Sequence, residues 1–177
     1  RVERLKQTYD LTLRWIHFPL HPETPDSGLT LEELFLKSST EVEVMKQRMS
    51  GLMAEEGLPY GNRTHTYNSR LAQELAKYAE SFEEGEALNR KLFEAYFVEG
   101  LNLADPEVLL KLAEFSGLPR EETEEVISKR LLRNEVDADW KRSRELGVRG
   151  VPTFFYGNRA LVGAQPYETM KQLVQIK

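Results

Sequence analysis

The spacing of apolar residues changes period four times along this chain. Val2, Leu5 and Tyr9 share one face at helical spacing. Leu11 to Phe18 then alternates Leu11, Leu13 and Trp15 against Thr12 and Arg14, the period of a half-buried strand, and Pro19 ends it. Leu20-His21-Pro22-Glu23-Thr24-Pro25-Asp26-Ser27-Gly28 reads as a proline-rich loop at the strand's end. From about residue 30 to 147 the period is helical. Val42, Met45, Met49, Leu52 and Met53 form one stripe, which Gly57 and Pro59 terminate; Leu71, Leu75, Tyr78 and Phe82 form the next, and Leu88, Leu92, Ala95 and Tyr96 a third, stopped at Gly100. Asp105-Pro106 predicts a cap with proline at the first helical position, opening a helix through Leu109 and Leu112 that Gly117 closes. Pro119 opens another, with Glu121, Glu122, Glu124 and Glu125 at its start and Lys129, Arg130 and Arg133 at its end, a polarity that suits the helix dipole. Val136 and Trp140 belong to a last helix of the block, ended by Gly147. The period then returns to that of a hairpin, with strands over Thr153 to Tyr156 and Arg159 to Val162 around Gly157-Asn158. A final helix carries Met170, Leu173 and Val174.

Composition narrows the class. A chain of 177 residues, 40% hydrophobic and 30% charged, is long enough to bury about two-thirds of its unfolded surface. A single domain over residues 1–177 is expected. The 24 basic residues are interleaved with 29 acidic ones, giving a net charge of -5 and no basic cluster, so neither nucleic acid nor a membrane surface is an expected partner. No apolar run approaches the length of a membrane span, and Arg1-Val2-Glu3-Arg4 is too charged for the apolar part of a signal peptide. The first helix starts at Arg1 without a capping Ser, Thr, Asp or Asn, which reads as a helix whose start lies upstream. There is no cysteine, so disulfides and thiolate metal sites are excluded within these residues.

Candidate chemistry is sparse. His17 and His21 are four apart, but Pro19 and Pro22 prevent the helix that would bring them together as ligands, and His65 stands alone; no metal and no cofactor is expected. Met45, Met49 and Met53 read as core packing, with an adaptable protein-binding surface as the alternative. Asn68-Ser69 marks a helix start, and Asp137 and Asp139 are neighbours on a polar helix face. No Gly-rich phosphate loop and no Gly-x-Ser-x-Gly elbow is present. The informative stretch is Gly150-Val151-Pro152-Thr153-Phe154-Phe155-Tyr156. A proline at the mouth of a strand cannot donate to a ladder, so it marks an edge or holds a backbone shape that something else uses.

Three segments together decide between those readings: Phe18-Pro19-Leu20-His21-Pro22-Glu23-Thr24-Pro25, Gly147-Val148-Arg149-Gly150-Val151-Pro152-Thr153-Phe154, and Gly163-Ala164-Gln165-Pro166 before the last helix. With these the chain resembles the DsbA-like thioredoxin-fold proteins, specifically the FrnE-like branch of thiol-disulfide oxidoreductases. The resemblance implies an α/β, thioredoxin-like (DsbA-type) fold in which residues 1–20 and 148–177 are the thioredoxin-like elements and 30–147 a large all-helical insertion, the first strand being absent from this chain. It implies a redox Cys-x-x-Cys upstream of Arg1, at a helix N-terminus where unpaired N–H groups lower a thiolate's pKa. It also implies a cis Val151-Pro152 bond that turns the main-chain groups of Val151 outward. Val151 and Pro152 are then the substrate-binding residues, no catalytic residue lies in this chain, and the partners are thiol or disulfide substrates, protein or small thiol. The FrnE-like branch further implies a cytoplasmic location. Two other readings share the architecture. One is a glutathione-dependent isomerase or transferase resembling 2-hydroxychromene-2-carboxylate isomerase, with serine in place of the first cysteine. The other is a redox-inactive module whose proline loop docks peptides.

Overall fold

Helix signals written locally in the sequence set most of the elements of the computed structural model, which describes residues 1–175. Asp105 accepts the Glu107 N–H at 2.9 Å and Pro106 follows at the first helical position, so α6 starts there and runs over Pro106–Phe115. Thr30 and Ser38 each form a reciprocal capping box, with Glu33 and Glu41, at the starts of α2 (Leu31–Phe35) and α3 (Ser39–Glu55). The other helices are α1 (Val2–Thr8), α4 (Arg70–Ala79), α5 (Gly85–Glu94), α7 (Arg120–Lys129), α8 (Arg133–Glu145) and α9 (Tyr167–Val174).

The chain divides into two compact units, one formed by Arg1–Leu20 with the residues from Asp137 onward, the other by His21–Val136. The second is built on α4, α5, α6 and α7. Leu75, Ala79, Leu88, Leu109 and Ala113 are fully buried in it, with Leu92, Leu103, Leu118 and Ile127 packed around them. These positions repeat at three and four residues along each helix, which is the condition for a continuous apolar face. Two short strands, β1 (Leu29–Thr30) and β2 (His65–Thr66), pair antiparallel at its edge, Leu29 opposite Thr66 and Thr30 opposite His65. After α5 the chain widens into a π-helical turn, Ala95–Glu99, closed by Gly100 in the left-handed region with its N–H on the Ala95 carbonyl. Gly61 passes against this turn, donating its N–H to the Phe97 carbonyl at 3.0 Å; a Cβ at 61 would overlap the Val98 carbonyl oxygen.

The apolar face of α4 also carries an acid. Glu74 is only 2% exposed and accepts two hydrogen bonds from Arg130, Nε at 2.6 Å and Nη2 at 2.8 Å, and one from Arg70 Nε at 2.7 Å. Arg130 is held in the left-handed region at the end of α7, and Arg70 also donates to the Arg133 carbonyl at 2.6 Å. One carboxylate thereby ties α4 to the last turn of α7 and the start of α8.

In the first unit, β3 (Thr153–Tyr156) and β4 (Arg159–Val162) form an antiparallel hairpin in the expected register, Tyr156 opposite Arg159 and Thr153 opposite Val162. Gly157 has a positive φ and Asn158 does not, which is the requirement of a type II′ turn. Helix α9 packs on β4. The segment Leu11 to Phe18 departs from the expectation of a strand. Leu11 and Leu13 are half-buried while Thr12 and Arg14 are exposed, but Trp15, expected on the same face as the leucines, is exposed, and no strand among the described residues pairs with the segment. Alternation places side chains; only a neighbouring backbone makes a ladder. The methionine stripe differs too: α3 buries Val42, while Met45 and Met49 are exposed.

Burial pushes the Glu74 carboxyl up, but the Arg130 and Arg70 bonds and charges outweigh it and hold the group below its ordinary value of 4.5. A carboxylate depressed in the folded state contributes stability above its unfolded pKa and loses it as pH falls through the folded one. Glu74→Gln is expected to cost on the order of 2–3 kcal/mol at neutral pH, less than for a fully buried pair because Arg130 is partly exposed. In urea titrations run from neutral to acid pH, the gap between wild type and variant should close on the acid side; a gap independent of pH overturns the assignment.

Candidate functional site

The loop that enters β3 is shaped by its own hydrogen bonds. Thr153 Oγ1 donates to the Gly150 carbonyl at 2.7 Å, closing a tight turn around Val151 and Pro152. The Pro152 carbonyl accepts the Gly163 N–H at 2.7 Å, which carries the hairpin ladder one step past Val162. Gly163 adopts φ +85°, a conformation that L side chains rarely take, so the residue type there follows from the bond it makes. The Val151-Pro152 bond is cis.

Both residues named from the sequence therefore sit side by side at the solvent-facing mouth of a hairpin. Val151 is 49% exposed and Pro152 is exposed. Among the described residues neither the N–H nor the C=O of Val151 makes a hydrogen bond. One residue thus presents an adjacent donor and acceptor to solvent, the pair an added extended segment would use.

Supporting contacts reach the other motif segments. In the same unit, Arg1 donates from one guanidinium nitrogen to the carbonyls of Ala164 at 3.1 Å and Gln165 at 2.9 Å, fixing the Gly163-Ala164-Gln165-Pro166 turn before α9. The Arg4 guanidinium stacks 3.9 Å from the centre of the Tyr167 ring. Asp139, expected on a polar face, is 5% exposed, and its Oδ2 accepts the backbone N–H of His17 at 3.2 Å. That part-buried bond anchors the extended segment to α8. The signal was in the spacing: Val136, Asp139, Trp140 and Ser143 recur at helical period, and 136, 139 and 143 are the buried positions of α8. In the helical unit the proline-rich loop is held by two asparagines. Asn68 Nδ2 donates to the Thr24 carbonyl at 2.8 Å while its Oδ1 accepts the Arg70 N–H at the start of α4, and Asn102 Nδ2 donates to the Asp26 carbonyl at 3.0 Å.

Among the described residues no cluster of three or more His, Asp or Glu is arranged to hold a metal ion, and no helix is long and apolar enough to cross a membrane.

A model of the DSBA-like thioredoxin domain matches residues 1–175. The chain belongs to that family. It is similar to the crystal structure of a probable DsbA oxidoreductase from Streptomyces coelicolor, at 26% identity and a TM-score of 0.80, over 86% of this chain and 69% of that one. The cytosolic disulfide reductase DsbM of Pseudomonas aeruginosa, solved with GSH, aligns over 78% of this chain and 71% of its own at a TM-score of 0.56, and at 24% identity it speaks for the fold alone. The uncharacterized protein YwbO of Bacillus subtilis strain 168 is 28% identical over 111 residues, which are 62% of this chain. The chain matches just over half, 55%, of YwbO's length. The DsbA-like thioredoxin fold implied by the three sequence segments is thus the fold of this chain.

The loop's shape has a separable test. Thr153→Val keeps the branched side chain and removes the Oγ1 donor, leaving the Gly150 carbonyl without it. The expected loss is about 1 kcal/mol in equilibrium unfolding, with exchange of the Gly163 amide, which donates to the Pro152 carbonyl, accelerated more than that of the β3 and β4 ladder; uniform acceleration would show that the bond does not shape the loop.

Proposed function

We propose that this chain is the major part of a thiol-disulfide oxidoreductase of DsbA/FrnE type, whose redox dithiol is supplied from upstream of Arg1 and whose substrate backbone is bound at Val151 and Pro152. Support comes from membership of the DSBA-like thioredoxin domain family and from similarity to a probable DsbA oxidoreductase. The observation that carries the substrate role is the half-exposed Val151, whose N–H and C=O are both open beside Pro152 at the head of β3. An extended substrate segment pairing there would be held by main-chain bonds, which are indifferent to side-chain identity. Such a site tolerates many protein or small-thiol substrates.

The chemistry belongs to the dithiol. Its thiolate attacks one sulfur of a substrate disulfide, forming a mixed disulfide and expelling the other substrate sulfur as a thiolate. The second cysteine then attacks the mixed disulfide and frees the remaining substrate thiol. The substrate gains two electrons, the dithiol loses two and becomes a disulfide, and the reverse sequence oxidises a substrate. Val151 and Pro152 position and do not react. A cytoplasmic location, where the thiol pool is reducing, agrees with the net charge of -5.

Insulin reduction by the intact gene product tests the reading. Replacing the upstream cysteines by serine is expected to abolish turnover; equal rates with and without them would remove the dithiol mechanism and leave the peptide-docking alternative. Serine found in the natural protein where the first cysteine is expected would redirect the reading to the glutathione-dependent isomerases. Val151→Glu, at an exposed position, should change stability by no more than about 0.5 kcal/mol. Its rate on insulin should fall on the order of tenfold, equivalent to about 1.4 kcal/mol of lost docking.

A further inference from the structure

Sulfur in this cysteine-free chain resides in four methionines, Met45, Met49, Met53 and Met170, and the fold treats them unequally. Met170 is 3% exposed on α9. Met45 and Met49 lie one turn apart on α3 and are 37% and 43% exposed. Met53, another turn on, is half-buried. Val42 is the buried residue of this helix, and no side chain of α3 belongs to the buried cluster of α4, α5, α6 and α7. We infer that Met45 and Met49 form a paired oxidation site, taking up one oxygen atom each from a hydroperoxide-class oxidant while the fold persists.

Exposure decides accessibility. The thioether lone pair attacks one peroxide oxygen, the O–O bond breaks as the S–O bond forms, and the other oxygen leaves after proton transfer as water from hydrogen peroxide or as the alcohol from an organic hydroperoxide. Each sulfur is oxidised by two electrons to the sulfoxide and one equivalent of peroxide is reduced. Attack needs an open approach to Sδ, which the solvent-facing strip Met45-Met49-Leu52 gives and the packed Met170 does not. The consequence is also local. A sulfoxide is polar and chiral where the thioether was apolar and adaptable, so two on adjacent turns change the character of one helix face. Because that face is outside the buried cluster of the helical unit, a polar oxygen there displaces none of that cluster's packing. The product is of the kind that methionine sulfoxide reductases return to the thioether, the oxygen leaving as water while two thiols of the reductase system become a disulfide, so the site would cycle without using a dithiol of this protein.

The test is timed hydrogen peroxide treatment of the full chain, followed by proteolysis and mass spectrometry of the four methionine peptides. Adducts of about 16 Da are expected first on Met45 and Met49, at least about tenfold faster than on Met170, with Met53 between. Met45→Leu and Met49→Leu should each remove one early adduct and leave the other, and the doubly oxidised chain should keep its helical circular dichroism. In strong urea, where the fold no longer ranks the sulfurs, the four rates should converge. Met170 or Met53 reacting as fast as Met45 and Met49 in the folded chain would overturn the inference. So would the same ranking in urea, or loss of helicity on double oxidation.

Discussion

A carboxylate that would be expensive to bury alone is what joins the helical unit to its own exit. Glu74 sits on the face of α4 that otherwise carries Leu71, Leu75 and Tyr78 into the interior, and it is satisfied there by three charge-assisted bonds from Arg70 and Arg130. Removing either guanidinium would leave a charge with almost no access to water, so the elements that deliver them are constrained as strictly as any apolar contact would constrain them. The left-handed backbone at Arg130 is one result. A residue with a Cβ accepts that conformation at some cost, and here it is the position whose side chain reaches Glu74. The same arginine ends α7, so the course of the chain into α8 follows from an ion pair more than from a loop preference.

Backbone groups, by contrast, organise the unit formed by Arg1–Leu20 and the residues from Asp137 onward. Arg1 satisfies two carbonyls of the turn before α9, Asp139 satisfies the amide of His17, and Thr153 satisfies the carbonyl of Gly150. Each is a side chain closing a main-chain group that no ladder reaches. Set among these, the open amide and carbonyl of Val151 stand out because the groups around them are taken.

How much of this was legible in the sequence depended on range. The hairpin register followed from Gly157-Asn158 and the start of α6 from Asp105-Pro106, because a turn and a cap are settled within four residues. The DsbA-like fold followed from three short segments whose order survives whatever is inserted between them. The pairing of Leu29 and Thr30 with Thr66 and His65 left no mark, since two-residue strands have no period and their partners are remote in sequence. The strand expected over Leu11 to Phe18 failed for the converse reason: its period was clear, but no described strand lies alongside it. The burial of Asp139 and Glu74 is hidden by residue type, because polarity predicts exposure where helix position sets burial. Each occupies a buried slot of its helix, and an acid at such a slot predicts a buried donor. Met45 and Met49 erred the other way, apolar by type yet turned to solvent.

The wide turn after α5 has a bearing on how this chain tolerates change in length. By spanning five residues where an α-helix would span four, Ala95–Glu99 takes up one residue without lengthening the helix axis by a full step, and the aromatic pair Tyr96 and Phe97 comes to rest edge to face under the Arg63 guanidinium. Leu88 and Leu92 before the turn, and Leu101 and Leu103 after it, all reach the same interior. The bulge therefore behaves as a phase corrector between two apolar repeats that would otherwise be out of step, and Gly61 is the residue slim enough to lie against it.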